Sequence, residues 1–230
     1  LIISEIGHNH NGNMQLMIEL IRQAKINGAD IAKFQLYDID KILKPEHPAY
    51  EDLKRGQLSK DDWFRSVDEC NRQGIEFLAS PFDVERVGWC QEAGVKRFKI
   101  ASRSIYDMEL IEAVRVTGKD MIISLGMVDE RGIPKLPEST IVRYLYCVAK
   151  YPAPLSDLHL GKVDFRKYAG FSDHTEGIEA AMVAISRGAD IIEKHFTLSK
   201  SMDGCDHVCS MEPLELKQLS MFAEKVRDMA

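Results

Sequence analysis

Phe171-Ser172-Asp173-His174-Thr175 and Glu193-Lys194-His195-Phe196 frame the stretch on which the fold turns. Between them lie a helix-like run from Gly177 to Arg187, the stop Gly188-Ala189-Asp190 and the apolar pair Ile191-Ile192. Strand, loop, helix, glycine stop and strand follow in that order, with a histidine at or near the carboxyl end of each strand. If the two strands are parallel neighbours, His174 and His195 meet at one rim of a sheet. Two converging imidazoles there suit a divalent metal. Two unrelated, hydrogen-bonded histidines are the plainer reading, and the shared strand-end position weighs against it.

The same alternation extends outward through the chain. Strands are expected at 1–7, 31–35, 75–80, 96–102, 121–125, 141–148, 168–172 and 191–195. A helix from about Asn13 carries Met14, Met17, Ile18, Ile21 and Ala24 at helical spacing and stops at Gly28. Others run from a Ser59 cap to Gln73, from Pro81-Phe82-Asp83 to Gly94, from Tyr106 to Gly118, and from about Glu212 to Met229. Leu36 to Gln57 reads as a long polar excursion, Gly126 to Glu138 as a degenerate connection, and Leu155 to Lys167 as mixed loop and short helix. Alternating β and α imply a parallel sheet. Eight such units in 230 residues imply an α/β fold of the closed (β/α)8 TIM-barrel type.

Composition narrows the functional classes. The chain is 45% hydrophobic and 29% charged with a net charge of −6, so no basic surface argues for nucleic acid. No apolar run approaches the ~18 residues of a membrane span. Five cysteines without a CxxC pair fit a reduced, cytoplasmic compartment. Cys205 and Cys209 could pair or bind metal, but no matching second ligand pair accompanies them.

A recurring step sets the register. Gly28-Ala29-Asp30-Ile31 recurs as Gly188-Ala189-Asp190-Ile191, and Gly74-Ile75 and Gly94-Val95 mark the same point. Counting from each glycine, Lys33, Lys99 and Glu193 share one odd offset, and Gln35 and His195 the next. Phe34, Phe98, Ile100 and Ile192 occupy the alternate positions. Strand side chains alternate faces, so odd offsets are expected to point into the barrel, near the strand ends where this fold places its active sites. Lys194 breaks the apolar rule and is left out of the site. Ser80 and Ser102 fall on even offsets where the chain is expected to be leaving its strand. The candidate set is Glu5, Lys33, Gln35, Ser80, Lys99, Ser102, Ser172, His174, Glu193 and His195. Lysines and hydroxyls together suit a phosphate or carboxylate. Glu5 could act as a general base, hold a substrate hydroxyl, or simply pair with Lys33. A two-histidine site leaves coordination positions for water and substrate, as a Lewis-acid role requires. Oxygen ligands in those positions favour Mn or Mg over a closed zinc site.

Ordered segments along nearly the whole chain resemble the barrel domain of the sialic acid synthase (N-acetylneuraminate synthase) family. They are Glu5 to Gly12, Lys33-Phe34-Gln35, Phe77 to Asp83, Lys99 to Ser102, Gly126-Met127, Tyr151 to Pro154, Ser172 to Thr175, Glu193 to Thr197 and Asp206 to Ser210. The resemblance implies condensation of phosphoenolpyruvate with an N-acetylated sugar aldehyde, N-acetylmannosamine or a relative, to a sialic acid or other nonulosonic acid plus phosphate. It implies His174 and His195 as metal ligands, for Mn or alternatively Mg or Co. Lys33, Ser80, Lys99, Ser102 and Ser172 match phosphoenolpyruvate contacts. Glu5, Gln35, Tyr151 and Asp206 match residues near the acceptor sugar and the reacting centre, and Glu5, Lys99 and Glu193 are the catalytic candidates. Departures are Ala149 for a frequent asparagine, Leu125 in the usual Ser-Thr-Gly-Met, Tyr146 for a histidine, and Arg103 for a common glycine beside the anion site. The small antifreeze-like domain that usually follows is expected to be absent, leaving residues 1–230 as one catalytic barrel. A homodimer is the candidate assembly. Two competing readings are a Schiff-base aldolase using Lys33 or Lys99 and a non-catalytic barrel that binds a metabolite.

Overall fold

Short apolar runs alternating with glycine-stopped helices become eight parallel strands in the computed structural model, which describes residues 1–229. They are β1 (Ile2–Gly7), β2 (Ile31–Leu36), β3 (Glu76–Pro81), β4 (Arg97–Ile100), β5 (Asp120–Ser124), β6 (Val142–Cys147), β7 (Gly170–Asp173) and β8 (Ile191–His195). Hydrogen bonding runs in the order β3-β2-β1-β8-β7-β6-β5-β4. β3 and β4 then lie against each other and bring the ends of the sheet together. This is the expected (β/α)8 barrel.

The helices are α1 (Met14–Ile26), α2 (Ile39–Ile42), α3 (Tyr50–Arg55), α4 (Lys60–Gln73), α5 (Val84–Ala93), α6 (Met108–Arg115), α7 (Glu179–Ser186) and α8 (Pro213–Asp228). α4 shows why they form where they do. Ser59 Oγ accepts from the Asp62 amide at its start, Asp61 and Asp62 favour the positive end of the helix dipole, and Trp63, Ser66, Val67 and Cys70 form one buried face. Gly74 ends it with φ +65°, a backbone conformation that costs a residue with a Cβ roughly 1–2 kcal/mol. Among the described residues no α-helix follows β5 or β6. Two 3-10 turns, Leu155–Asp157 and Leu160–Lys162, stand in for the helix after β6.

The structure corrects four local expectations. The excursion after β2 is not irregular: α2 and α3 fold within it around Tyr37, Ile39 and Tyr50, with Ile42, Leu43, Leu53 and Phe82 packed against them. Pro81 is the last residue of β3, and α5 opens later, capped by Asp83. β4 ends at Ile100, so Ser102 lies in a 3-10 turn beyond it. α6 begins at Met108 rather than Tyr106, because Asp107 supplies the cap.

The register explains the interior. Ile3, Ile31, Leu78, Ile122, Leu145 and Ile191 form one apolar cluster that plugs the barrel. Two residues further along the same strands come Glu5, Lys33, Ser80, Ser124, Cys147 and Glu193, the next inward positions. The alternate residues Ala32, Phe34, Phe98, Ile100 and Ile192 join the larger core under the helices. Ser80 is therefore inward for a reason other than strand exit. It pairs with Gln35 inside the ladder, because the Gly74 step is one residue shorter than the Gly28 step. Gly170 is required by space, since a Cβ there would lie 1.8 Å from Ile191 O. No helix among the described residues is long and apolar enough to cross a membrane.

Candidate active site at the carboxyl rim of the barrel

Above the apolar plug the inward side chains form a buried chain of alternating charge. Lys33 Nζ lies 2.8 Å from Glu5 Oε2 and 3.7 Å from Glu193 Oε2, and Lys99 Nζ lies 3.4 Å from Glu193 Oε1. Lys33, Lys99, Glu5 and Glu193 are all almost fully buried. Hydroxyls surround them. Lys33 donates to Ser80 Oγ (3.2 Å), Lys99 to Ser124 Oγ (2.7 Å), and Ser172 to Glu193 Oε1 (3.0 Å). Gln35 donates to Glu5 Oε1 at 2.9 Å. Burial alone would favour the neutral form of each group. For Glu193 the neighbouring Lys33 and Lys99 outweigh that burial and pull it down to about 2. Burial likewise opposes charge on Lys33, but Glu193 and Glu5 hold it above its ordinary value. Lys99 is pulled below its ordinary value by burial, against Glu193 and with Lys33 adding to the effect.

The histidines stand beside this chain. β7 and β8 pair with Ser172 opposite Glu193 and Asp173 opposite Lys194, so the next step brings His174 and His195 together, with ring centroids 5.7 Å apart. His174 Nδ1 lies 3.0 Å from Val148 O, which orients the ring and leaves Nε2 free. Burial, with His195 adjacent, lowers its pKa to about 4, so the imidazole is neutral, as a metal ligand must be. His195 Nδ1 is buried without a hydrogen bond and lies 3.4 Å from Asp206 Oδ2. Two converging imidazoles, one neutral and oriented and the other with an orphaned nitrogen beside a carboxylate, fit a divalent ion that takes its remaining ligands from substrate or water.

The candidates of the sequence converge with differences in detail. Ser102 lies beyond β4, where its Oγ accepts from the Gly126 amide at 3.1 Å. Gly126 is sterically required: a Cβ would sit 2.8 Å from Cys147 Sγ and close to Ser102 Oγ and Ala149. Tyr151, on an exposed loop, holds its ring centroid 4.1 Å from that of His174. Asp206 comes from the loop after β8 and meets both His195 and His8. Arg103, one residue past Ser102, is exposed and lies over the Phe82 ring. Lys194, left out of the site, points the other way into a fully buried pair with Asp173 (3.1 Å) and donates to Thr175 O (2.7 Å). That pair fixes the turn carrying His174.

The sequence reading missed Ser124, Asn9 and His8. Ser124 ends β5 as Ser80 nearly ends β3, a repeated strand-end serine that could have signalled it. Asn9 donates to Phe196 O and Ser210 Oγ, both at 2.9 Å, and ties the loop after β1 to that after β8. A cavity of about 820 Å³ opens at the opposite end of the barrel, among strand starts such as Ile2, Asp30 and Ile191. It holds none of the polar chain and carries no chemistry comparable to it.

With this geometry in place, comparison with known proteins is informative. Residues 20–230 match the model of the NeuB family. An uncharacterized protein of Methanocaldococcus jannaschii is 38% identical over 95% of this chain and 68% of its own length. The N,N'-diacetyllegionaminic acid synthase of Legionella pneumophila is 35% identical over 99% of this chain and 71% of its own. The crystal structure of the N-acetylneuraminic acid synthetase of Leptospira borgpetersenii superposes with a TM-score of 0.92 at 31% identity, covering 99% of this chain and 84% of that one.

Proposed function

The chain belongs to the NeuB family, and from that premise we propose that it condenses phosphoenolpyruvate with an N-acetylated amino sugar, N-acetylmannosamine or a relative, to give a nonulosonic acid and phosphate with the help of a divalent metal. The observation that carries this reading is the buried Glu5–Lys33–Glu193–Lys99 chain, lined with serines and set beside two histidines.

Charge balance supports it. Two lysines and two carboxylates leave the ligand-free chain near neutrality. A phosphate monoester brings a charge of about −1.5 to −2 at pH 7, and a carboxylate adds another. Neutral His174 contributes none, and a divalent ion held by the two histidines would supply the missing positive charge. His174 and His195 would hold that ion, with Mn expected and Mg or Co as alternatives, and it supplies Lewis acidity to an oxygen of the open-chain sugar.

Lys33 and Lys99 bind the phosphate and carboxylate of phosphoenolpyruvate, with Ser80, Ser102, Ser124 and Ser172 as short donors. Arg103, which lies over the Phe82 ring beside this site, is the candidate to replace the contact that Ala149 cannot make. Gln35, Tyr151 and Asp206 position the acceptor, and Glu5 orients its reacting end. C3 of phosphoenolpyruvate forms a bond to the aldehyde carbon, the carbonyl π pair moves to the aldehyde oxygen, which takes a proton to become a hydroxyl, and C2 becomes cationic. Ionised Glu193 stabilises that charge in a water-poor setting. Water adds to C2 and gives a proton to Glu5, and phosphate leaves with C–O cleavage as the C2 hydroxyl loses its proton and becomes the keto group.

A Schiff-base aldolase has one observation in its favour, the lowered pKa of Lys99. Phosphate release from phosphoenolpyruvate, followed with a panel of N-acetylated hexoses and their 6-phosphates with and without chelator, separates the two. Release that needs one sugar and stops with chelator supports the synthase. Chelator-insensitive turnover of a keto acid, with a borohydride-trapped adduct at Lys99 or Lys33, overturns it.

A further inference from the structure

We propose that His8, Cys205 and Asp206 form a second cation site, which takes a zinc-type ion through one imidazole, one thiolate and one carboxylate. This does not rest on the synthase reading. His8 Nε2 lies 3.3 Å from Cys205 Sγ and 3.7 Å from Asp206 Oδ2, and the three candidate ligand atoms all lie within 4.8 Å of one another. Tetrahedral zinc with ordinary bond lengths separates nitrogen from sulfur by about 3.5 Å and nitrogen from oxygen by about 3.3 Å. The cluster is within a few tenths of an ångström of that geometry on both His8 edges.

The site is built rather than casual. His8 is buried, with Nε2 facing the cluster. Among the described residues, the polar side-chain atoms that its Nε2 contacts are this thiol and this carboxylate. Gly56 packs against the base of His8 so closely that a Cβ there would lie 2.5 Å from His8 Cβ and 3.3 Å from His8 O. Asp52 brings a second carboxylate alongside, accepting from the Cys205 amide at 3.3 Å. The Asp206 and Asp52 carboxylates beside Cys205 attract a divalent cation, whose charge displaces the thiol proton to water on binding. Cys205 is exposed, so an ion has a path in, and water completes the coordination.

Donor chemistry separates this site from the histidine pair. A thiolate selects borderline and soft ions, whereas oxygen ligands around His174 and His195 suit Mn or Mg. Asp206 stands between the two, 3.4 Å from His195 Nδ1 and 3.7 Å from His8 Nε2. An ion on His8 and Cys205 would tie the loop after β8 to the loop after β1.

Cobalt titration of the reduced full-length chain tests this. Thiolate coordination gives a near-ultraviolet charge-transfer band. The band should appear in the wild type and in His195→Ala, vanish in Cys205→Ser and His8→Ala together with one equivalent of bound cobalt, and survive in Cys147→Ser. Cys147 is the necessary control, because its Sγ lies 3.7 Å from His174 Nδ1. No band in the wild type, a band that persists in Cys205→Ser, or one lost only in Cys147→Ser would overturn the assignment. Loss of activity in His195→Ala with the band intact would leave this site standing independently of the synthase reading.

Discussion

Glu193→Gln is the substitution whose effect the structure sizes most clearly. The carboxylate lies between two buried ammonium groups, 3.7 Å from Lys33 and 3.4 Å from Lys99. Removing one partner of a buried pair costs about 3–5 kcal/mol, because the other charge is left unpaired. The carboxyl's own displacement gives a similar figure: its pKa falls from 4.5 to about 2, and at about 1.4 kcal/mol per unit this is roughly 3 kcal/mol. Glutamine keeps the shape and a hydrogen bond to Ser172, so the loss reports charge rather than packing. For a chain of this size each kcal/mol moves Tm by about 2–4 °C, which places the expected fall on the order of 10 °C. The variant interior keeps Lys33, Lys99 and Glu5, an excess of one positive charge. Inorganic phosphate should therefore raise its Tm more than it raises that of the wild type. Thermal unfolding followed by circular dichroism, with and without phosphate, reads both effects. A loss below about 1 kcal/mol, or equal phosphate shifts in the two proteins, would refute the claim that Glu193 balances the lysines.

Three other outcomes are expected. His195→Ala should abolish chelator-sensitive turnover while the far-ultraviolet spectrum and Tm stay close to wild type; unchanged turnover would remove His195 from the metal assignment. Lys99→Ala should weaken phosphoenolpyruvate binding more than sugar binding in titration calorimetry, and equal losses would argue against its anion role. Acid should act in two windows. Folded His174 stays neutral down to about pH 4 while an ordinary imidazole protonates near 6.5, so the unfolded chain takes up the extra proton and stability present above pH 6.5 is lost as the pH falls towards 4. Glu193, depressed from 4.5 to about 2, adds stability that is present above pH 4.5 and lost through the lower window. Urea midpoints across both ranges measure this. Burial likewise lowers His10 to about 4, so His174→Gln should reduce the upper slope without abolishing it and leave the lower window unchanged; an undiminished upper slope would contradict the buried neutral imidazole.

Much of the barrel was legible because its signals are local. Glycine stops, caps such as Ser59 and short β-rich runs are written within a few residues of each element. The inward register was legible for β2, β4 and β8, where a common offset from the preceding glycine places Lys33, Lys99 and Glu193 on one level. It failed for β3, because the step from Gly74 to the strand is one residue shorter and reverses the parity of Ser80. The excursion after β2 looked structureless because a polar, proline-containing run separates Tyr37 and Ile39 from Tyr50, and they meet only when α2 and α3 fold together. The pairing of His174 with His195 was legible once β7 and β8 were read as parallel neighbours. The His8–Cys205–Asp206 cluster was not, since it joins two loops nearly 200 residues apart. Lys194 shows the opposite case. Its side chain points away from the interior, as the alternation required, yet it is buried because Asp173 pairs with it.

The proposed reaction makes a carbon–carbon bond between phosphoenolpyruvate and an amino sugar. Mass spectrometry of the product formed with the preferred N-acetylated sugar and Mn reads that bond. The product should be an acid heavier than its acceptor by the mass of pyruvate, appearing in step with phosphate and absent when chelator is added. Phosphate accompanied by free pyruvate, with the sugar recovered unchanged under every metal, would contradict it.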